Sequence, residues 1–177
     1  MNYADIKRID VANGPGVRVS LFVSGCTHHC KGCFNAETWD FNYGNIFTNH
    51  EINKIMDYLE PNYIQGLSIL GGEPFEYSNQ QGLLPLMRRL KERYPDKNVW
   101  CYTGYDFDKD IRDDMMQKWP ETRELIDYID ILVDGKFIEE QKDLSLRFRG
   151  SSNQRIIDVK KSLETNEIVL WDQKGTI

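Results

Sequence analysis

The segment Cys26-Thr-His-His-Cys30-Lys-Gly-Cys33 places three thiols within eight residues of one polar, Gly-containing stretch. Thiolates this close on a flexible loop can converge on one centre, and soft sulfur ligands select zinc, copper or iron–sulfur clusters. A structural zinc site completed by His28, His29 or Cys101 is one reading. Zinc sites usually combine two ligand pairs, however, and beyond the loop only His50 and Cys101 remain. Three cysteines with no evident fourth ligand leave one iron of a cubane cluster open to a small molecule. The spacing therefore favours iron–sulfur over zinc. Cys30-Lys-Gly-Cys33 also has the spacing of a redox dithiol, but without the strand-to-helix setting of that motif. Cys101, inside an apolar run, reads as a small buried strand residue. His28 and His29 read as polar loop residues near the centre.

The surrounding elements are marked by periodicity and caps. Residues 3–9 read as a short strand, Gly-Pro-Gly at 14–16 as a turn, and the β-branched, apolar run 17–23 as a buried strand. The cysteines fall in a loop over 24–45, a length that is uncommon unless the loop is functional. Thr48 with Glu51, and Ser78 with Gln81, have the capping-box pattern ahead of helically spaced apolar residues. Further strands are expected at 67–70, ending at Gly71-Gly72, and at 99–102 and 128–133, with a helix over 108–118. Late strands are expected at 155–159 and 167–171. This alternation argues for an α/β fold with mostly parallel strands, whose sites gather at the carboxyl ends of those strands. One rim would then carry the cysteine loop, Gly71-Gly72-Glu73-Pro74, Thr103 and Asp134.

The chain has 177 residues, with 22 basic against 28 acidic side chains and a net charge of −6. That balance gives no reason to expect nucleic acid or an anionic membrane as partner. No apolar stretch approaches the roughly 20 residues that span a bilayer, and the amino terminus lacks a signal-peptide pattern. A cytoplasmic location, where thiols stay reduced, is the expectation. So is a single domain over 1–177, with the cluster loop at 24–45 and late strands at about 144–171.

Cys-x-x-x-Cys-x-x-Cys after an apolar strand, with Gly-Gly-Glu-Pro at a later strand end, resembles the radical S-adenosylmethionine enzymes. The segments GPGVRVSLFVSGCTHHCKGCFN, GGEPF, WCYTGY, DILVDGKF and RFRGSSNQRIIDV are similar to those of the glycyl-radical activases that serve anaerobic ribonucleoside-triphosphate reductase. They run from about residue 13 to 159. The resemblance implies a [4Fe–4S] cluster on Cys26, Cys30 and Cys33, with S-adenosylmethionine chelating the fourth iron. It implies that Gly71, Gly72, Glu73 and Pro74 hold the cofactor's amino group, and that Thr103, Asp134 and Lys136 lie near it. Many members carry an aromatic residue just before the third cysteine, beside adenine. Here that position is Gly32, and Phe34, after Cys33, would supply the apolar contact.

The implied activity is reductive cleavage of S-adenosylmethionine to a 5′-deoxyadenosyl radical, which abstracts a hydrogen from a glycine of the partner reductase. Reduced flavodoxin or a similar donor would supply the electron. A full eight-fold barrel takes around 250 residues, so a partial, open (β/α) barrel of the radical S-adenosylmethionine type is expected. Residues 147–154 read as a partner-facing or late-barrel segment, or as a solvated turn. Two alternatives stand beside this reading: an activase of another glycyl-radical enzyme such as pyruvate formate-lyase, and a zinc-stabilised, non-catalytic binding module.

Overall fold

The computed structural model describes residues 1–172. Seven strands, β1 (Asn2–Asp10), β2 (Val17–Val23), β3 (Asn45–Ile46), β4 (Ile64–Gly71), β5 (Asn98–Tyr102), β6 (Ile131–Asp134) and β7 (Arg155–Asp158), form one sheet. Their order is β3-β1-β2-β4-β5-β6-β7. The four central strands, β2, β4, β5 and β6, are parallel to one another. The outer pairings, β3 with β1, β1 with β2 and β6 with β7, are antiparallel. Among the described residues the sheet ends at β3 and β7 and is not closed.

Alternation along the strands sorts the two faces. Val19, Leu21, Leu67, Ile69, Val99, Cys101 and Leu132 belong to the main core, which also contains the buried sides of the helices. Trp100, Ile131 and Val133 face the other way, packed with Tyr102, Phe148, Ile156 and Trp171. On that second side Arg18 is fully buried beside Trp100. It donates to the Ser68 hydroxyl at 2.7 Å and to the Leu67 carbonyl at 3.0 Å.

The first helix, α1 (Asn49–Leu59), starts on the expected capping box, with Thr48 and Glu51 bonded reciprocally. The second, α2 (Tyr77–Arg93), corrects an expectation: Ser78 is not its cap. The helix begins earlier, where the Gln80 amide donates to the Glu76 carbonyl, and no side chain caps it. The Glu76 carboxylate is instead taken by the amide and hydroxyl of Thr27. The helix expected over 108–118 is present as π-helical turns, Phe107–Met115, running into a short α3 (Met116–Lys118).

A further helix, α4 (Pro120–Tyr128), occupies residues that were expected to remain irregular or to open the sixth strand. Proline suits the first helical position, where no amide is needed, and Thr122, Leu125 and Ile126 turn into the core. The late region also differs. Val159 opens a helix, α5 (Val159–Thr165), because the Asp158 side chain caps the Lys161 amide. Residues 167–171 meet β7 through one bridge, Ile157 with Leu170, and do not form a strand. Residues 144–154 are turns and irregular chain, with Ser151 bridged to Lys142. No helix is long and apolar enough to cross a membrane among the described residues.

Candidate cluster-binding site

The carboxyl ends of β2, β4 and β5, with the turn after β6, surround a cavity of about 470 Å³ whose walls include Cys26, Cys30, Cys33, Glu73 and Thr103. Of the rim expected from element order, the cysteine loop, Gly71-Gly72-Glu73 and Thr103 line this cavity, and Pro74 and Asp134 do not. Its two principal loops are joined backbone to backbone. The Gly72 amide donates to the Val23 carbonyl at 2.7 Å, and the Glu73 amide to the Gly25 carbonyl at 2.8 Å. A Cβ on Gly71 would lie 2.6 Å from the Val23 carbonyl oxygen, and one on Gly72 would lie 2.6 Å from that of Gly25. The Gly-Gly pair is needed here so that the strand end can lie against the cysteine loop.

Two residues that sequence reasoning missed secure this junction. Asn79, on α2 and 1 % exposed, donates from its amide nitrogen to the carbonyls of Ser24 and Glu73, at 3.0 and 2.9 Å. The Thr38 carbonyl, in a short 3-10 turn at Ala36–Trp39, accepts from the Gly25 amide at 2.7 Å. Neither has a local signature, because a buried helix asparagine acquires its partners only when the loops close over it.

Each of the three sulfurs is faced by backbone amides. Those of His28 and His29 lie near enough to Cys26, and that of Phe137 to Cys30, to favour the thiolate at each. The Asn35 amide reaches the Cys33 sulfur at 3.4 Å. Left-handed backbone at Gly25, His29 and Gly32 helps to turn this loop. Burial pushes the Cys26 thiol up to about 11 despite its two amides, and burial also raises Cys30. Such thiols ionise readily only when a metal takes the charge. No three His, Cys, Asp or Glu side chains among the described residues are gathered tightly enough to hold one metal ion. The thiols line a shared cavity instead, with N–H donors aimed at their sulfurs, a donor set that fits an iron–sulfur cluster.

Glu73 lies 1 % exposed at the cavity wall. One carboxylate oxygen accepts from the Gly104 amide at 2.6 Å and pairs with His28 Nε2 at 2.9 Å. The other accepts from the Phe75 amide at 2.8 Å and the Thr103 hydroxyl at 2.7 Å. Thr103 is thus brought to Glu73 as well as to the cavity. His28 has a specific partner, unlike the generic loop role expected for it, while His29 stacks on Trp39 with ring centroids 4.5 Å apart.

Not every expected residue reaches the cavity. Phe34 lines its mouth, 58 % exposed and 5.0 Å from the Phe137 ring. Gly32 turns away, its missing Cβ position 2.9 Å from the Glu139 carboxylate. Pro74 is buried behind Glu73 and Lys136 is exposed, and neither lines the wall. Asp134 is 1 % exposed, but its oxygens are committed within the protein: they accept from Arg155 at 2.6 and 3.0 Å and from the Phe107 amide at 2.8 Å. Cys101 is buried in β5 as expected.

The 147–154 segment proves to be part of the wall through Phe148, Arg149, Gly150 and Gln154. Gln154 holds it in place, accepting from the Gly150 and Ser151 amides and donating to the Gly135 carbonyl.

Three thiols at the carboxyl rim of a parallel sheet, over a cavity shared with a buried carboxylate, define an α/β protein built to carry a metal cluster. Comparison with known proteins agrees: the family model described as a 4Fe-4S single cluster domain matches residues 12–157. Curated relatives match along almost their whole length. One from Vibrio cholerae is 46% identical over 158 residues, which is 88% of this chain and 97% of the relative. One from Escherichia coli (strain K12) is 42% identical over 156 residues, 87% of this chain and 96% of the relative. One from Enterobacteria phage T4 is 39% identical over 156 residues, 88% and 93%. Each is named anaerobic ribonucleoside-triphosphate reductase-activating protein, and the chain belongs to that family.

Proposed function

We propose that this chain activates anaerobic ribonucleoside-triphosphate reductase by installing a glycyl radical on it, using a [4Fe–4S] cluster on Cys26, Cys30 and Cys33 together with S-adenosylmethionine. The observation that carries this reading is the shared cavity, where three amide-faced sulfurs and the Gly71-Gly72-Glu73 strand end meet in a chain of this family. When bound, the cluster supplies the electron that cleaves S-adenosylmethionine and so provides the hydrogen-abstracting radical. The chain's own residues orient and enclose. Cys26 sits deepest of the three ligands, and Glu73, fixed by Thr103 and two backbone amides, is the acceptor for the cofactor's ammonium group.

Phe34, at the mouth, is the apolar residue offered to adenine, and the 147–154 wall faces the entering glycine segment. Asp134 supports the rim through Arg155, and no cofactor contact is assigned to it. The open sheet fits a partial barrel of the radical S-adenosylmethionine type, whose missing side admits a protein backbone. The electron donor belongs to the class of low-potential one-electron carriers, such as reduced flavodoxin.

Anaerobic purification followed by metal analysis tests the foundation. The expected protein is brown, holds about four irons per chain, the content of a single cubane cluster, and has a reduced-cluster electron paramagnetic resonance signal that changes on adding S-adenosylmethionine. A colourless protein with stoichiometric zinc would instead establish the binding-module alternative.

A further inference from the structure

The Glu73 carboxylate is full. Its two oxygens offer about four lone-pair directions, and four donors occupy them: the Gly104 and Phe75 amides, the Thr103 hydroxyl and His28 Nε2. A carboxylate only accepts, so the proton of that last contact sits on Nε2. Three of the four donors are fixed to the scaffold. Two are backbone amides, and Thr103 is held at the end of β5 by its own amide, which donates to the Val133 carbonyl at 2.9 Å.

His28 differs from these. It is a loop side chain whose ring lines the cavity, with one edge against Tyr105 at 4.4 Å between centroids. The missing Cβ position of Gly104 lies 2.6 Å from the ring, so glycine leaves the room that the ring occupies. The backbone beneath it is anchored separately, Thr27 being bonded through both amide and hydroxyl to Glu76. The loop backbone is therefore held independently of the contact between the ring and Glu73.

We infer that His28 stands in the place of the cofactor's ammonium group and is displaced when that group binds Glu73, so that His28 sets the affinity of the site. This rests on the reading of Glu73 given above. It makes His28 a positioning residue that keeps the buried carboxylate oriented and satisfied in the ligand-free protein, and yields one hydrogen bond to the incoming amine. The two amide donors cannot yield in this way without unmaking the backbone.

Two measurements on the cluster-reconstituted, unreduced protein test the inference. Binding of S-adenosylmethionine is compared between the wild-type protein and His28→Ala. Removing a competing hydrogen bond should tighten binding about 3- to 10-fold, whereas a side chain that merely supports Glu73 would weaken binding when removed, and that result would overturn the inference. Crystal structures of the wild-type protein with and without S-adenosylmethionine give a readout independent of any variant. The His28 Nε2 to Glu73 contact should open beyond hydrogen-bond distance in the complex. Retention of that contact with the amine also on Glu73 would overturn the inference, even if His28→Ala lost its cluster. If the wild-type protein binds no S-adenosylmethionine at all, the cofactor assignment itself fails, an outcome distinct from either of these.

Discussion

At the scale of single residues, the proposed function assigns the chemistry to the three loop cysteines and none to the fourth. Cys30→Ala should abolish the brown colour and the bound iron, while Cys101→Ala, buried in β5, should keep both. Iron analysis and visible absorption of the two variants, prepared anaerobically, check this, and loss of the cluster in Cys101→Ala would contradict the open-iron arrangement. Gly72→Ala should also fail to hold the cluster. Its Cβ would meet two backbone carbonyl oxygens, those of Gly25 at 2.6 Å and Thr38 at 2.9 Å, so it would push the strand end off the cysteine loop. A cost of about 1–3 kcal/mol, typical of overpacking, should appear as a lowered unfolding midpoint in denaturant. That the three cysteines share one cavity was legible in the sequence, because thiols within eight residues of one loop can converge. Glu73 was legible only through its motif, and Asn79 not at all, since nothing beside it in the chain shows that two loop carbonyls will come to it.

At the scale of elements, the parallel centre followed from local pattern: β2 and β5 lie where apolar, β-branched runs placed them, and α1 starts on its Thr48–Glu51 box. Short helices escaped. α4 and α5 have 9 and 7 residues, too few for a clear helical period, and each is fixed by tertiary burial and by one local signal, Pro120 or Asp158. Residues 167–171 have strand composition but meet β7 at one bridge only, Ile157 with Leu170, flanked by bonds from the Asp158 amide to the Val169 carbonyl and from the Trp171 amide to the Ile156 carbonyl, each 2.8 Å.

The junction of β6 and β7 depends on Arg155, which bonds the buried Asp134 and also Asp108 at 3.0 Å. Arg155→Met should cost about 3–5 kcal/mol, since removing one partner strands a buried charge; denaturant unfolding measures it. Asp108 gives the pair a pH dependence. Burial pushes its carboxyl up, but the Arg155 hydrogen bond and charge outweigh this, and its net pKa lies below the ordinary 3.8. A carboxyl lowered on folding contributes stability above its unfolded pKa and loses it as pH falls through the folded value. Asp108→Asn should therefore be less stable than the wild-type protein at pH 7, and the difference should close below about pH 4. A difference that persists unchanged at pH 3 would contradict the pairing.

At the scale of the whole molecule, the sheet stops at β7 and the 147–154 segment forms the remaining wall of the cavity. The sequence leaves that segment as partner-facing, late-barrel or a solvated turn, because a wall made of turns has no periodicity to announce it. Arg149 lines the cavity and donates to the Gln154 carbonyl at 2.8 Å, and its buried Nε has no hydrogen-bond partner among the described residues. Arg149→Ala should leave the cluster intact and reduce productive encounter with the reductase, read as a raised KM for that partner at constant iron content.

The central claim is that this chain places a radical on anaerobic ribonucleoside-triphosphate reductase through the cluster held by Cys26, Cys30 and Cys33. The most direct test mixes the reconstituted protein, a low-potential reductant and S-adenosylmethionine anaerobically with the reductase, and separately with pyruvate formate-lyase. A glycyl-radical doublet in the electron paramagnetic resonance spectrum of the reductase sample, absent with Cys30→Ala, is the expected result. No doublet on the reductase, or a doublet on pyruvate formate-lyase alone, would contradict the claim.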